Sequence, residues 1–234
     1  MALNLIQKKM LKIAHRGAKA YEPENTLQAF QKALDLNSDG IELDVHLSSD
    51  GHIIVIHDET IDKMTNGKGY VNSFSLSELK SFRIADQHQI PTLKEVFDLL
   101  DKKCFINIEL KNTDTLIKVV SLIEEYVSDK KWSYDHFIVS SFAWSALQQV
   151  HNLNSKIPIG VLTETDLHLA VAFAETIQAK AIHPYYHLLN AENVKEMQEK
   201  GFLVLPWTVN INEDIQKIKS YKVDGIISDF PDKI

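Results

Sequence analysis

The sequence predicts an α/β fold of the (β/α)8 TIM barrel type, and three observations carry that prediction. Short β-branched and apolar runs alternate with stretches of helical period from Leu11 onward, which is the pattern of successive βα units. The runs number eight in a chain of 234 residues, a length typical of a closed parallel barrel. Polar and charged residues collect at the C-terminal ends of these runs, where barrels keep their chemistry.

Taken in order, the strands are read at Leu11 to His15, Gly40 to Val45, Cys104 to Leu110, Phe137 to Ser141, Pro158 to Leu162, Lys180 to Pro184, Phe202 to Thr208 and Gly225 to Ser228. Helices fit between them at Thr26 to Leu36, Leu93 to Asp101, Thr115 to Val127, Trp144 to His151, Leu167 to Ile177, Ala191 to Lys200 and Glu213 to Tyr221. The first helix is expected to start at Asn25, with Gln28 as the reciprocal cap. No helix-length segment follows the eighth strand, and Ala2 to Met10 are expected to cover the barrel floor instead.

The count of eight requires a small insertion at about residues 46–90, between the second strand and its helix. Asp50-Gly51 is a hairpin signal, Asn66-Gly67 a second turn, and Ser75 to Glu78 reads Ser-x-x-Glu at the head of a short helix to Phe82. Roughly 45 residues bury too little to stand alone, so the segment is expected to be a lid or wall on one barrel domain, 1–234.

Composition narrows the function classes. With 44% hydrophobic and 24% charged residues, one large core is the expectation. A net charge of −7 without a basic cluster argues against nucleic acid, which needs a cationic face to release counterions. The lone Cys104 excludes an internal disulfide and fits a reducing compartment. No apolar run reaches the roughly 18 residues of a membrane span. MALNLIQKKMLKIAHRG lacks the apolar core of a secretory leader, so a cytoplasmic location is expected.

The chemistry is concentrated in DGIELDVHLSSDGHIIVIHD, Asp39 to Asp58. Glu42 and Asp44 alternate with apolar residues on one strand, so both carboxylates leave the same face. Glu109 and Lys111 repeat that spacing on the neighbouring strand. Three acids facing one point, with no cysteine nearby, suit a hard divalent ion, Mg²⁺ or Ca²⁺, better than zinc. The rival reading pairs them with Arg16 and Lys111 as a buried ionic network.

His15 ends the first strand, and His57 closes the run Ile53 to Ile56 beyond the hairpin turn, so both are expected at the same rim. Two imidazoles flanking a cation suit general acid and base work. Arg16 offers a planar fork and Lys111 a point charge to an anion. Trp207, at the end of the seventh strand, is either a flat apolar wall for substrate carbon or a core residue. The other eight histidines, His46 and His183 among them, are read as satisfied or exposed.

AHRGA, PENT, GIELDV with HIIVIHD, NIELK, WTVN and DGIISDFP, in that order from Lys12 to Pro231, resemble the motifs of the glycerophosphodiester phosphodiesterases. The resemblance implies a barrel with an insertion after the second strand, and metal-dependent hydrolysis of glycerophosphodiesters to glycerol 3-phosphate and an alcohol. By position it implies Glu42, Asp44 and Glu109 as metal ligands, His15 and His57 as the acid/base pair, Arg16 and Lys111 as phosphate contacts, and Trp207 as the glycerol-side aromatic. AKAYE and DKMTNGKGYV depart locally from the family's pattern and bear on substrate preference. Lysophospholipase D-type activity and a non-catalytic phosphate-binding barrel are the alternatives.

Overall fold

Nine strands and eight α-helices are found among the residues described, 9–234, in a computed structural model. Eight strands are parallel and form the barrel: β1 (Leu11–His15), β2 (Gly40–Leu47), β4 (Phe105–Leu110), β5 (Phe137–Ser141), β6 (Ile159–Thr163), β7 (Ala181–Pro184), β8 (Leu203–Val204) and β9 (Gly225–Ser228). The remaining strand, β3 (Ile53–Val55), folds back antiparallel on β2. Helices α1 (Leu27–Asp35), α3 (Leu93–Leu100), α4 (Leu116–Asp129), α5 (Trp144–Leu153), α6 (Leu167–Thr176), α7 (Ala191–Glu199) and α8 (Asn212–Ser220) connect the barrel strands.

The register brings the inward-facing residues into rows. His15 pairs with Glu42, Glu42 with Asn107, Asp44 with Glu109 and Glu109 with Ser140, so acids from adjacent strands share one level near the C-terminal rim. Below them the interior is apolar, filled by Leu11, Ile13, Phe105, Ile138, Ala181, Leu205 and Ile227. Gly40 makes room there: a Cβ at this position would come within 2.2 Å of the Phe105 ring. A second and larger core lies between the strands and the helices.

The seventh barrel strand is shorter than its expected span of Phe202 to Thr208. Its amides on one side stay paired with β7, Leu205 N–H donating to Ile182 at 3.0 Å and Trp207 N–H to Pro184 at 3.2 Å. Pro206 falls between them and has no N–H for the other side. Closure onto β9 is therefore sparse, made by Asp224 N–H to Val204 O at 3.2 Å, Ile227 N–H to Pro206 O at 2.9 Å and Val209 N–H to Ile227 O at 3.0 Å.

The start of α1 also corrects the expectation. The cap is Thr26, whose hydroxyl accepts from Ala29 N–H at 3.1 Å, and not Asn25. Asn25 instead adopts a left-handed backbone, φ 56°.

Between β2 and α3 the chain makes the hairpin and the short helix α2 (Leu76–Leu79), whose Ser75–Glu78 capping box matches the Ser-x-x-Glu reading. Ile54, Ile56, Ile61, Val71, Leu79, Ile84 and Ile90 form a small cluster inside this excursion. After β9 the described chain carries only a 3-10 turn, Pro231–Lys233. Of the segment expected to cover the barrel floor, Ala2 to Lys8 lie outside the described residues, and Met10 packs against the core.

Candidate active site

The turn after β1 delivers three groups at once. Arg16 and Gly17 both have positive φ, 54° and 82°, which swings the chain across the barrel mouth and aims the Arg16 amide inward. That amide donates to Glu42 Oε2 at 2.9 Å. The Arg16 guanidinium donates to Glu24 Oε1 at 2.7 Å and lies 3.4 Å from Asp44 Oδ2. Residue 17 has to be glycine, because a Cβ there would sit 2.7 Å from Ala29 and its φ is positive.

Glu42, Asp44 and Glu109 each turn a ligand atom to within 4.8 Å of the others. The rival ionic network is met only in part. Asp44 has the most partners of the three, with Arg16, with Lys111 Nζ at 3.5 Å and with Asn25 Nδ2 donating at 2.9 Å. Burial opposes its ionisation, but Arg16, Lys111 and His57 outweigh burial and hold its carboxyl below the usual range. Lys111 also donates to Glu109 Oε1 at 2.7 Å. Even so, burial together with the Asp44 charge pushes Glu109 up to about 7. Burial, with Asp44 and Glu109 beside it, pushes Glu42 well above the carboxylate range. Two carboxyls that resist ionising next to a third that does not are short of positive charge, and an oxygen-lined site short of positive charge fits a hard divalent ion.

His15 and His57 reach the same cavity from different elements, the end of β1 and the residue following the hairpin. His15 Nδ1 lies 2.6 Å from Asp229 Oδ1, at the end of β9. Burial, aided by Arg16, lowers the His15 pKa against the pull of Asp229. His57 follows the hairpin, which extends past β3 through Ile56 N–H to Asp44 O at 3.1 Å. Its Nδ1 lies 2.6 Å from Asp58 Oδ1. With Nδ1 held by a carboxylate on both rings, Nε2 is the free nitrogen of each.

One cavity of about 120 Å³ is lined by His15, Arg16, Glu42, His57, Glu109, Lys111 and Trp207, with Asn107, Phe142 and Leu162 among its other walls. Seven of the eight residues singled out in the sequence therefore meet there, and Asp44, 1% exposed, lies against them. Trp207 is both wall and packing residue: its indole N–H donates to His183 O at 2.8 Å and its ring meets Phe142 edge-on at 5.4 Å. The cleft at the barrel's other end, lined by Met10, Leu203 and Asp224, brings no such groups together.

Sequence reasoning missed the supporting residues. Asn25 looked like a cap and holds Asp44 instead. Asp58 stood next to His57 as a visible signal, and Asp229 marked the end of the last strand, but neither contact could be assigned before the fold was known. No helix among the described residues is long and apolar enough to cross a membrane.

The family model described as "Glycerophosphoryl diester phosphodiesterase family" matches residues 15–233. A glycerophosphodiester phosphodiesterase of Caldanaerobacter subterraneus subsp. tengcongensis is 38% identical, covering 97% of this chain and 96% of its own. An enzyme of the same description from Bacillus subtilis is 32% identical over 96% of this chain and 85% of its own. Among solved structures, an Oleispira antarctica phosphodiesterase in complex with the product sn-glycerol-3-phosphate superposes with a TM-score of 0.86 at 27% identity, covering 95% and 94% of the two chains. The Thermotoga maritima glycerophosphodiester phosphodiesterase gives 0.81 at 29% identity, covering 97% of each.

Proposed function

Because this chain belongs to the glycerophosphoryl diester phosphodiesterase family, we propose that it hydrolyses glycerophosphodiesters to sn-glycerol 3-phosphate and an alcohol at the cavity between His15 and His57. The observation that carries the reading is the pair of imidazoles, each tied at Nδ1 to a carboxylate and each lining the same cavity as the acidic cluster. The product named in the Oleispira relative is the one this reaction would give.

In this reading Glu42, Asp44 and Glu109 hold a divalent metal, Mg²⁺ or Ca²⁺. When bound, the ion supplies positive charge to the phosphoryl oxygens. Arg16 and Lys111 bind and orient the same group, the first through its planar fork and the second as a point charge. One imidazole takes the proton from the attacking hydroxyl as the new P–O bond forms. The other gives a proton to the alcohol oxygen as the old P–O bond breaks. Burial favours the neutral ring at His15, which suits it to accept first and leaves donation to His57. Trp207 and Phe142 form the apolar wall against the glycerol carbons.

The attacking hydroxyl is either water or the glycerol 2-hydroxyl, and capture of a cyclic glycerol phosphate in a rapid quench identifies the second route. Residues 1–234 act as one barrel domain whose insertion, about 46–90, supplies the His57 side of the cavity. A net charge of −7 and a buried lone thiol, Cys104, fit a cytoplasmic enzyme of small phosphodiesters without nucleic acid partners. Phe142 is 43% exposed, so the apolar wall opens to solvent and favours testing an acylated glycerol as a second substrate.

The test is turnover of glycerophosphocholine, glycerophosphoethanolamine and a lysophospholipid by wild type, His15→Ala and His57→Ala. Release of glycerol 3-phosphate by wild type alone supports the proposal. Full activity in either alanine variant removes the proton roles.

A further inference from the structure

His57 stands one residue past the end of the hairpin's main-chain bonding. The β2–β3 ladder ends at Val45 opposite Val55, and the last main-chain bond across the hairpin is Ile56 N–H to Asp44 O. One residue later the chain turns away from the barrel with His57 at the corner. A side chain that must meet a phosphodiester within a few tenths of an ångström needs its backbone held at that corner.

The group that holds it comes from β2. His46 lies on the same side of β2 as Glu42 and Asp44 but one step beyond them, outside the catalytic cavity, in a small pocket it shares with Val71 and Asn112. It is 6% exposed, and its Nε2 lies 3.0 Å from the His57 carbonyl oxygen. Its Nδ1 lies 3.5 Å from Asn112 Nδ2. A carbonyl only accepts and an amide nitrogen only donates, so Nε2 carries the proton and Nδ1 accepts. One neutral tautomer accommodates both contacts, the bond to the His57 carbonyl being the closer at 3.0 Å.

Asn112 directly follows Lys111, whose ammonium pairs with Glu109. One imidazole thus bridges the loop that carries the cavity's lysine and the corner that carries His57. We propose that His46 is a positioning residue: it pins the His57 backbone to the Lys111–Asn112 loop and so sets the distance between the proton-transfer group and the bound phosphoryl group. This rests on the reading of His57 under Proposed function. Plain packing would need no match of donors and acceptors at both nitrogens.

The test compares His46→Leu, which keeps bulk but makes neither bond, with His46→Gln, whose amide N–H can reach the His57 carbonyl. Steady-state turnover of glycerophosphocholine is measured with Mg²⁺ or Ca²⁺ added. His46→Leu is expected to lose about 10- to 100-fold in kcat, the cost of a small misplacement. KM should stay within about twofold, because ground-state binding is untouched. His46→Gln should recover to within about threefold of wild type, since it restores the donor that matters. Should the leucine variant not fold, Asn112→Ala serves in its place: it frees Nδ1 and should lower kcat by roughly threefold without raising KM.

Wild-type kcat in His46→Leu, with only its melting temperature lowered, would overturn the inference, as would a glutamine variant as slow as the leucine one. Unchanged kcat in Asn112→Ala would overturn the bridge. A His57→Ala variant run beside them separates the two levels: activity surviving there sinks the functional reading and this inference together, whereas activity lost there but kept in His46→Leu sinks this inference alone.

Discussion

The Nδ1 atom of His15 lies 2.6 Å from Oδ1 of Asp229, where the paired strands β1 and β9 reach the barrel mouth. The second oxygen of Asp229 accepts from Asn210 Nδ2 at 2.9 Å, so the carboxylate is fixed before it meets the imidazole. Holding the proton on Nδ1 leaves the Nε2 lone pair open to accept one. Asp229→Asn presents an amide that can donate to Nδ1 and reverse the tautomer. The expected result is a fall in kcat of about 10²- to 10⁴-fold with little change in KM. Asp58→Asn should cost less, because Asp58 is 32% exposed against 18% for Asp229 and water can replace part of its role.

Metal binding should depend on pH in a stated direction. Glu109 is held up to about 7 and Glu42 is also raised, so below neutrality an entering cation must displace protons. The rise in melting temperature caused by added Mg²⁺ or Ca²⁺ should therefore grow between about pH 5.5 and pH 7.5 and level off above. The increment is the quantity to follow, since other groups act on raw stability in the opposite sense. Burial lowers His183 to about 3, so this neutral ring costs stability progressively as pH falls below its unfolded value, while the raised carboxyls favour the folded state there.

Glu42→Gln should separate stability from function. It removes one of three crowded carboxylates, while the amide oxygen can still accept from Arg16 N–H. The metal-free variant should melt at or above the wild-type temperature, and activity should fall by about 10²-fold or more. A large drop in metal-free melting temperature would show that Glu42 is a structural ion-pair member.

Asn25 joins a left-handed backbone to a bond with Asp44. Asn25→Gly keeps the backbone accessible and loses only the bond. It should weaken metal affinity by about tenfold, as loss of a ligand's supporting partner does. Asn25→Ala adds backbone strain of about 1 kcal/mol, visible as a lower melting temperature than that of the glycine variant.

Much of this was legible in the chain. Strand and helix periods placed seven barrel strands to within a few residues, and the alternation of Glu42 with Asp44 and of Glu109 with Lys111 predicted the shared face. Strand seven was misread because Pro206 removes a donor on one side only, which a run of apolar residues does not reveal. Asn25 was misread because the residue that suits a helix cap also suits a left-handed turn. The partners of the two histidines were hidden for different reasons. Asp229 lies 214 residues from His15, and His46 acts on a backbone carbonyl, a contact that no spacing of side chains encodes.

The most direct measurement is the release of sn-glycerol 3-phosphate from glycerophosphocholine by protein stripped with EDTA, before and after a divalent ion is restored. The acidic cluster and the two histidines together predict no turnover in the stripped protein, recovery with Mg²⁺ or Ca²⁺, and no recovery in His15→Ala or His57→Ala. Equal turnover with and without metal, or no glycerol 3-phosphate under any condition, would contradict it.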